Sequence, residues 1–141
     1  MRFKFLAIVF FVVVVAANLA GCGTVVPVQS AGEGEKGTEA VSRLVMARAQ
    51  LRWNALIKRD LDTAYAFISP GARSLMAVED YRPRVNPAYW RGAKVSEAKC
   101  AAEICDVTVL VDLLIERVKV TSPIKETWIL DAGQWWFVYQ G

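Results

Sequence analysis

One stretch in the second half of the chain decides the fold, because its apolar and polar side chains alternate: Cys105-Asp106-Val107-Thr108-Val109-Leu110-Val111-Asp112-Leu113-Leu114-Ile115. Successive side chains of a β-strand point to opposite faces, so the odd-numbered residues form a continuous apolar face. The even-numbered face is more polar, which is typical of an antiparallel sheet with only one side packed on a core. The stretch therefore predicts a strand of a sheet that needs one covering layer.

Further strands flank this one on both sides. Residues 93–99 precede it, and residues 124–130 and 134–139 follow it with a similar alternation. Asp131-Ala132-Gly133 predicts a tight turn between the last two strands, whereas Ser122-Pro123 predicts a break in the preceding connection, with a bulge or a longer hairpin. The second half of the chain is thus predicted to form an antiparallel sheet of about four strands.

The covering layer is predicted to be helical and to precede the sheet. Thr38 is a suitable N-cap, and neither glycine nor proline interrupts residues 39–59. Trp53 lies in the middle of an apolar stripe at helical spacing and is expected to face the sheet. The stripe consists of Val45, Met46, Ala49, Trp53, Leu56 and Ile57, and the opposite, solvated face carries Arg43, Gln50, Asn54 and Lys58.

Two or three short helices are expected after this long one, starting near Asp60 and after Ser69-Pro70. The predicted fold class is therefore α+β. It has an N-terminal long helix plus short helices, and these pack on a curved antiparallel sheet of about four strands.

This order of elements resembles the nuclear-transport-factor-2-like superfamily, which includes SnoaL-like and cystatin-like domains, through a helical phrase, a break and a closing hairpin: Trp53-x-Ala55-Leu56-Ile57-Lys58-Arg59-Asp60-Leu61-Asp62-x-Ala64-Tyr65, Ser69-Pro70, and Asp131-x-Gly133-x-Trp135-Trp136. The resemblance covers about residues 38–141. It implies a cone in which the curved sheet wraps a helix, and association of two copies through the sheet as a homodimer. The superfamily includes enzymes, small-ligand binders and assembly modules, so it leaves the function open.

The N-terminal residues resemble a bacterial lipoprotein signal peptide. Basic Arg2 and Lys4 precede the apolar run 5–17, which is shorter than the roughly 20 residues of a membrane-spanning helix. Leu19-Ala20-Gly21-Cys22 then places small residues before a cysteine that would be lipidated and would become the new N-terminus. The alternative is an uncleaved anchor helix with a chance cysteine.

This interpretation gives the chain three parts and an address. Residues 1–21 are predicted to be the signal peptide, residues 22–37 a lipidated Cys22 with a flexible tether, and residues 38–141 a single domain. Two or more acyl chains hold a protein stably at a membrane, so the mature chain would be anchored in the cell envelope and face the periplasm. No aspartate follows Cys22 to resemble an inner-membrane retention signal, which favours the outer membrane over the inner one.

The charge of the chain argues against nucleic acid as a partner. The whole sequence carries a net charge of +3, and removal of Arg2 and Lys4 with the signal leaves +1. Binding to nucleic acid depends on a strong basic field, which a nearly neutral domain lacks. One segment does concentrate basic residues, and a solvated helix face is a simpler explanation for them than a site for an anionic partner: Arg43, Arg48, Arg52, Lys58 and Arg59.

Two cysteines remain besides Cys22. Cys100 and Cys105 are separated by four residues between two strand-like runs, so a hairpin would bring the thiols together as a disulfide in an oxidising periplasm. A redox-active motif fits less well, because the spacing is not Cys-x-x-Cys. A zinc site fits less well again, because the chain contains no histidine.

No catalytic motif is present, and the residues point to no cofactor and no metal. Four aspartates are candidate bases, but helix caps or solvated positions explain them more simply: Asp60, Asp62, Asp106 and Asp112. Tyr89 and Trp90, in an irregular segment, and Trp136, opposite Trp135 on the last strand, are the candidate ligand or partner residues.

Two functions remain open at this point. The first is a membrane-anchored, non-enzymatic interaction or envelope-assembly module that docks on another envelope protein, for which Trp136 should be accessible to solvent. The second is a cone-fold protein that binds, or turns over with a carboxylate, a small apolar ligand. The second function requires a hollow interior with a carboxylate at its base.

Overall fold

The computed structural model describes residues 31–141 and contains one long helix followed by a four-stranded sheet. The helices are α1 Ala31–Ile57, α2 Leu61–Tyr65, α3 Pro70–Leu75 and α4 Val78–Tyr81, followed by 3-10 turns at Arg82–Arg84 and Pro87–Tyr89. The strands are β1 Trp90–Ala101, β2 Ile104–Ile115, β3 Val118–Asp131 and β4 Gln134–Phe137. The α+β class, with its helix before the antiparallel sheet, is confirmed. The predicted signal peptide and Cys22 lie outside the described residues.

Helix α1 begins earlier than its predicted N-cap. It starts at Ala31, whereas Thr38 was expected to open it, so residues 31–37 of the predicted tether are helical. The glycines in this segment weaken a helix by only about 1 kcal/mol each and no proline stops it, so the helix extends beyond the predicted cap.

The predicted apolar stripe of α1 does face the sheet. Val45, Ala49, Trp53 and Leu56 are buried, and Ala55 joins them, whereas Met46 and Ile57 are half-buried. The helix-facing side of the sheet supplies most of the remaining core from all four strands: Val95, Cys105, Val107, Val109, Val111, Trp128, Trp135 and Phe137. Ala64, Ile68 and Tyr81 complete it. One helix and one sheet face therefore form a two-layer domain.

The sheet is a meander in which each strand pairs antiparallel with the next, in the order β1-β2-β3-β4. Its three turns contain two residues each. Positive φ angles occur at Ala102, at Glu116 and Arg117, and at Ala132 and Gly133, as tight hairpins require. The tight turn predicted at Asp131–Gly133 is confirmed. The β2–β3 connection is also a tight turn, not the longer hairpin that was expected.

Pro123 does not break strand β3. It pairs with Leu110 inside an uninterrupted fourteen-residue strand. β4 pairs only with the part of β3 from Trp128 to Asp131, so at Pro123 the β3 strand is an edge strand on that side. An edge position tolerates proline because no ladder hydrogen bond is lost there, which is why the predicted break is absent.

Both edges of the sheet are hydrogen-bonded to helix α1. The Gln50 side chain donates to the Ala93 carbonyl at 3.0 Å and accepts from the Val95 amide at 2.9 Å, both on β1. Arg48 donates to the Trp135 carbonyl on β4 at 2.6 Å. Gln50 was predicted to face solvent, but its amide satisfies edge-strand groups that would otherwise need water. Two neighbouring positions of one helix thus fix opposite edges of the sheet.

Candidate ligand-binding site

A half-open cavity of about 420 Å³ lies between the C-terminal half of α1, strand β3 and the last residues of the described chain. Half of its lining residues are aromatic or aliphatic, among them Trp53, Leu56, Trp90, Ile124, Phe137 and Tyr139. Charged residues also line it, two of them buried, Arg52 and Glu126, and two exposed, Arg84 and Lys125. Apolar walls with a few polar groups are typical of small-ligand sites.

The two buried charges form an ion pair. A guanidinium nitrogen of Arg52 lies 2.5 Å from Oε1 of Glu126, and the two residues are only 5% and 6% exposed. Arg52 comes from α1 and Glu126 from the helix-facing side of β3, so the pair joins the two layers. A buried charge is tolerated only when it is paired and hydrogen-bonded, and both conditions are met here.

Two indoles complete the shell around Glu126. Trp53 donates its Nε1–H to Oε1 at 2.7 Å, and Trp128 donates its Nε1–H to Oε2 at 3.1 Å. Both carboxylate oxygens therefore accept hydrogen bonds from the protein itself. A carboxylate whose oxygens already accept three hydrogen bonds has little capacity left to accept one from a substrate. The carboxylate is at the base of the cavity, but its geometry suits structure more than catalysis.

Arg52 was predicted to lie on a solvated helix face, and that prediction is wrong. Its guanidinium stacks over the Phe137 ring at 3.7 Å, and its Nε atom is buried without a hydrogen-bond partner. Arg52 is three residues after Ala49 and four before Leu56, so it falls within the apolar stripe by spacing alone. A matching signal exists for Glu126, because it shares the face of Trp128 at strand spacing.

Arg48 is the second member of the predicted solvated face that the structure places elsewhere. Besides its bond to Trp135, its guanidinium lies 5.1 Å from the Phe67 ring and 5.4 Å from the Trp136 ring. Burial lowers the pKa of Arg48 from its ordinary value. Arginine rather than lysine suits this position because its planar group can stack on rings and donate at the same time.

Tyr81 lies next to the ion pair at the centre of the core. Its side chain is fully buried, and its ring packs against Tyr65 and Tyr139 at 5.5 and 5.6 Å between centroids. The hydroxyl makes no hydrogen bond of good geometry within residues 31–141, although the Arg52 guanidinium is close enough to act on it. Burial raises the pKa of Tyr81, and the positive charge of Arg52 opposes this only in part.

The predicted ligand or partner residues separate into three environments. Tyr89 is 54% exposed at the end of a 3-10 turn and does not line the cavity. Trp90 opens β1, packs on Trp53 at 5.2 Å between ring centroids, and lines the cavity. Trp136 is half-buried at the β4 edge, with Arg48 and Arg73 within 5.4 Å of its ring. Tyr89 and Trp90 thus do not form one patch, although they are adjacent in sequence.

The four candidate aspartates lie outside the cavity. Asp60 caps α2 by accepting from the Thr63 amide at 3.1 Å, and hydrogen bonding with Thr63 holds the pKa of Asp60 below its usual value. Asp62 is exposed and pairs with Arg82. Asp106 and Asp112 point from the solvent-facing side of β2, where Thr121 donates to Asp112 at 2.7 Å. Caps and solvated positions therefore account for all four.

Cys100 and Cys105 are direct cross-strand partners in the β1–β2 hairpin, with their Cα atoms 4.0 Å apart and their sulfurs joined. Cys105 is fully buried and Cys100 is half-buried. Formation of this disulfide in the cell stays a prediction. Within the described part of the chain, no group of three or more potential ligand side chains is arranged to hold a metal ion. In that same part, no helix is long and apolar enough to cross a membrane.

No protein-family model matches the sequence, and no curated protein matches it. Two solved structures share the fold, both described as SEC-C motif containing proteins. The one from Rhodopseudomonas palustris is 14% identical, with a TM-score of 0.50, and the match covers 62% of this chain and 70% of that one. The one from Psychrobacter arcticus is 12% identical, with a TM-score of 0.51 and 62% coverage. The chain spans 54% of this second structure.

These neighbours correct the resemblance stated from the sequence. The chain is similar in structure to SEC-C motif containing proteins, so its assignment to the nuclear-transport-factor-2-like superfamily is wrong. The residues that suggested it have local roles, because Asp60 and Ser69 cap short helices and Ala132-Gly133 forms a tight hairpin turn. Such elements recur in many α+β folds, and at these identities the similarity extends to the fold alone.

Proposed function

We propose that this chain is a non-enzymatic, membrane-anchored domain of the bacterial envelope that binds a small, largely apolar ligand in the cavity between α1 and β3. The observation that carries the proposal is the cavity itself. It is open on one side, has a volume of about 420 Å³, and its wall includes the packed rings of Trp53 and Trp90. A space of this size is within the range that small-molecule sites occupy.

A binding role is favoured over an enzymatic one by the state of Glu126. Its oxygens accept from Arg52, Trp53 and Trp128, so no free base faces the cavity from this residue. The sequence contains no histidine to act in its place. The ion pair instead gives the floor of the cavity a neutral, rigid surface on which rings are stacked.

The exposed rim of the cavity favours an anionic group on the ligand. The Arg84 guanidinium donates from Nε to the Asp80 carbonyl at 3.1 Å and makes no ion pair with a carboxylate of the described chain. Arginine presents several donors in a plane, which suits a carboxylate. A short-chain fatty acid has this combination of apolar body and anionic end.

The edge contacts of α1 support a curved, cone-like sheet around this cavity. Four flat strands would span about 14 Å between their outer members, since neighbours lie about 4.8 Å apart. Arg48 and Gln50 are only two residues apart on one helix, yet they reach β4 and β1 respectively. If the sheet bends toward α1, its two outer strands come close enough to the helix for both hydrogen bonds.

Calorimetry with octanoate tests the cavity. We expect full chain in lipid nanodiscs to bind octanoate and Ile124→Trp, which fills the cavity, to weaken binding at least about tenfold. Ile129→Trp is the matched control, because Ile129 belongs to the same strand but points to the other face. Equal affinities for the two variants, or no heat beyond that of empty nanodiscs for the parent chain, would contradict the proposal.

The membrane anchor is the second part of the proposal and rests on Leu19-Ala20-Gly21-Cys22. The thiol of Cys22 is the group in this motif that takes a lipid. We expect cells that express the chain to incorporate labelled palmitate into it, and Cys22→Ala to abolish both the label and signal cleavage. Membrane fractionation then separates the outer membrane, which we propose, from the inner one. A labelled and processed Cys22→Ala chain would refute the anchor.

A second function, docking on an acidic segment of another envelope protein, is favoured by the surroundings of Trp136. Arg48 and Arg73 lie 5.4 and 5.3 Å from its ring, and neither pairs with a carboxylate of residues 31–141. The Nε atom of Arg73 is also buried without a partner. Two unpaired guanidinium groups beside one indole attract negative charge, and tryptophan and arginine are enriched at protein interfaces.

Cross-linking in cells tests this docking. We expect a photoreactive group at position 136 to capture an envelope protein, and Arg73→Gln to reduce the capture severalfold. Arg43→Gln, on the exposed flank of α1, is the control. Undiminished capture with Arg73→Gln would remove the acidic-partner proposal.

A further inference from the structure

The helix-facing side of the sheet continues beyond the region that α1 covers. Strand β1 begins at Trp90, opposite Leu113, but β2 and β3 extend two residues further as a free hairpin. Leu113 pairs with Val120 and Ile115 pairs with Val118, and these four side chains share the face of Val109 and Ile124. Ile115, Val118 and Val120 are 46%, 61% and 44% exposed. We call these four residues the apolar strip.

The apolar strip begins at the cavity wall. Trp90 lines the cavity and is the cross-strand partner of Leu113, and Ile124 lines it from the strand that carries Val120 and Val118. The wall and the strip therefore adjoin through Trp90 and Leu113, and on β3 Ser122 lies between Ile124 and Val120 on this face. Together they lead from the stacked rings beside α1 to the tip of the β2–β3 hairpin.

We infer that the apolar strip holds the extended hydrocarbon chain of a ligand whose other end occupies the cavity, so that the natural ligand is a long-chain, single-tailed anionic amphiphile such as a fatty acid. This inference rests on the proposed function and extends it from small apolar molecules to long acyl chains. Its anionic end would meet Arg84 at the rim. The tail would pass Trp90 and Ile124 and cover the strip.

The size of the strip favours an acyl chain over a protein. Three partly exposed aliphatic side chains leave on the order of 200–300 Å² of apolar surface, far less than the roughly 800 Å² per partner of a stable interface. Its width is that of two paired strands, about 5 Å, whereas a helix with side chains is about 10 Å across. A single hydrocarbon chain matches both dimensions.

The position of the strip argues against two other partners that could cover it, the N-terminal segment of the same chain and the membrane that holds the proposed anchor. Gln50 contacts Ala93 and Val95, and Trp53 contacts Trp90, so α1 runs antiparallel to β1. The N-terminus of α1 therefore lies toward the opposite end of the sheet from the strip. Residues 23–30 span at most about 28 Å. The 27-residue helix that they would have to pass is about 40 Å long.

Photo-crosslinking with two fatty acids of different length tests the inference. Octanoate and hexadecanoate, each carrying a diazirine at the methyl end, are bound to the full chain in nanodiscs and the labelled residues are mapped by mass spectrometry. We expect octanoate to label the cavity wall and hexadecanoate to label the apolar strip. Val118→Ser and Val120→Ser should each weaken hexadecanoate binding about fivefold and leave octanoate binding unchanged. Leu75→Ser, at an apolar residue that is 89% exposed elsewhere, is the control.

The outcomes separate this inference from the proposed function. Failure of octanoate to label the cavity wall, together with failure of hexadecanoate to label the strip, would overturn the proposed function and the inference together. Octanoate binding with no effect of the strip variants on hexadecanoate would overturn the inference alone. Loss of vesicle binding, or of a concentration-dependent dimer, in the strip variants without a change in hexadecanoate affinity would assign the strip to a membrane or to a second copy.

Discussion

Arg52 lies on the buried face of α1, although the sequence predicts it on the solvated face. By composition it belongs with the surrounding basic residues, but by spacing it lies between Ala49 and Leu56 on the buried side. Its burial is possible because Glu126 arrives from the sheet with an opposite charge. Partnership across 74 residues of sequence is invisible to a helical pattern, which explains why the prediction failed here.

The buried pair should be costly to break singly and less costly to replace as a unit. Glu126→Leu leaves Arg52 charged and unpaired, so we expect a loss of about 3–5 kcal/mol in unfolding free energy. The double variant Arg52→Met with Glu126→Leu should recover a large part of it, although Trp53 and Trp128 still lose their acceptor. Urea denaturation measures both. If the double variant were no more stable than Glu126→Leu alone, the unpaired charge of Arg52 would not be the cause of the lost stability.

Tyr81 gives a pH-dependent test at the same scale. A group whose pKa is raised in the folded state adds stability below its unfolded pKa, about 10 for tyrosine, and loses that stability as the pH rises above it. We therefore expect the parent chain to lose stability above about pH 10 and Tyr81→Phe to lose less. At pH 7 the variant should be within about 1 kcal/mol of the parent, since its hydroxyl makes no hydrogen bond. Thermal melts from pH 7 to above pH 10 measure this. An identical loss of melting temperature in the parent chain and in Tyr81→Phe would contradict the prediction.

At the scale of elements, helix α1 and the hairpins could be predicted to different degrees. Alternation located β2, and Asp131-Ala132-Gly133 located the last turn, because local chemistry determines both. The unbroken β3 and the tight Glu116-Arg117 turn could not be predicted. Pro123 is tolerated only because β4 is short, and non-glycine residues occupy positive φ in that turn because the pairing on either side demands it.

Arg48 attaches α1 to the β4 edge, so it should matter more than its sequence context suggests. Arg48→Ala removes a hydrogen bond to Trp135 and two ring contacts, and we expect a loss of about 1–2 kcal/mol. The exposed Lys58, in the turn directly after α1, is the control, and Lys58→Ala should change stability by less than about 0.5 kcal/mol. Equal effects of the two substitutions would mean that the edge contact does not stabilise the domain.

The β1–β2 hairpin carries the prediction that was made from cysteine spacing. Cys100 and Cys105 face each other across the ladder, so the bond requires no movement of the backbone. We expect intact-mass spectrometry of the unreduced protein, after treatment with an alkylating reagent, to show no modified cysteine at either position. Quantitative alkylation of both in the native, unreduced chain would exclude the disulfide.

At the scale of the whole molecule, one helix packs on one face of the sheet, and the proposed anchor precedes this domain. The sequence predicts the two-layer class and Trp53 as a core residue. It does not predict the position of the cavity, because that depends on how side chains far apart in sequence pack against one another. Trp90 illustrates this, since the sequence marks it as a candidate ligand or partner residue and only its pairing with Leu113 and packing on Trp53 place it in the cavity wall. The anchor, by contrast, rests on sequence alone, because Cys22 precedes the described residues.

The central claim is that the cavity between α1 and β3 binds an apolar ligand. The chain has five tryptophans, and the indole N–H signals of those that line the cavity should respond to binding. Trp53 and Trp90 line the cavity, whereas Trp136 lies outside it. Titration of the ¹⁵N-labelled chain with octanoate, followed through the indole N–H signals in NMR spectra, is the measurement. The account predicts saturable shifts for Trp53 and Trp90 and none for Trp136. Shifts confined to Trp136, or no saturable shift at all, would contradict it.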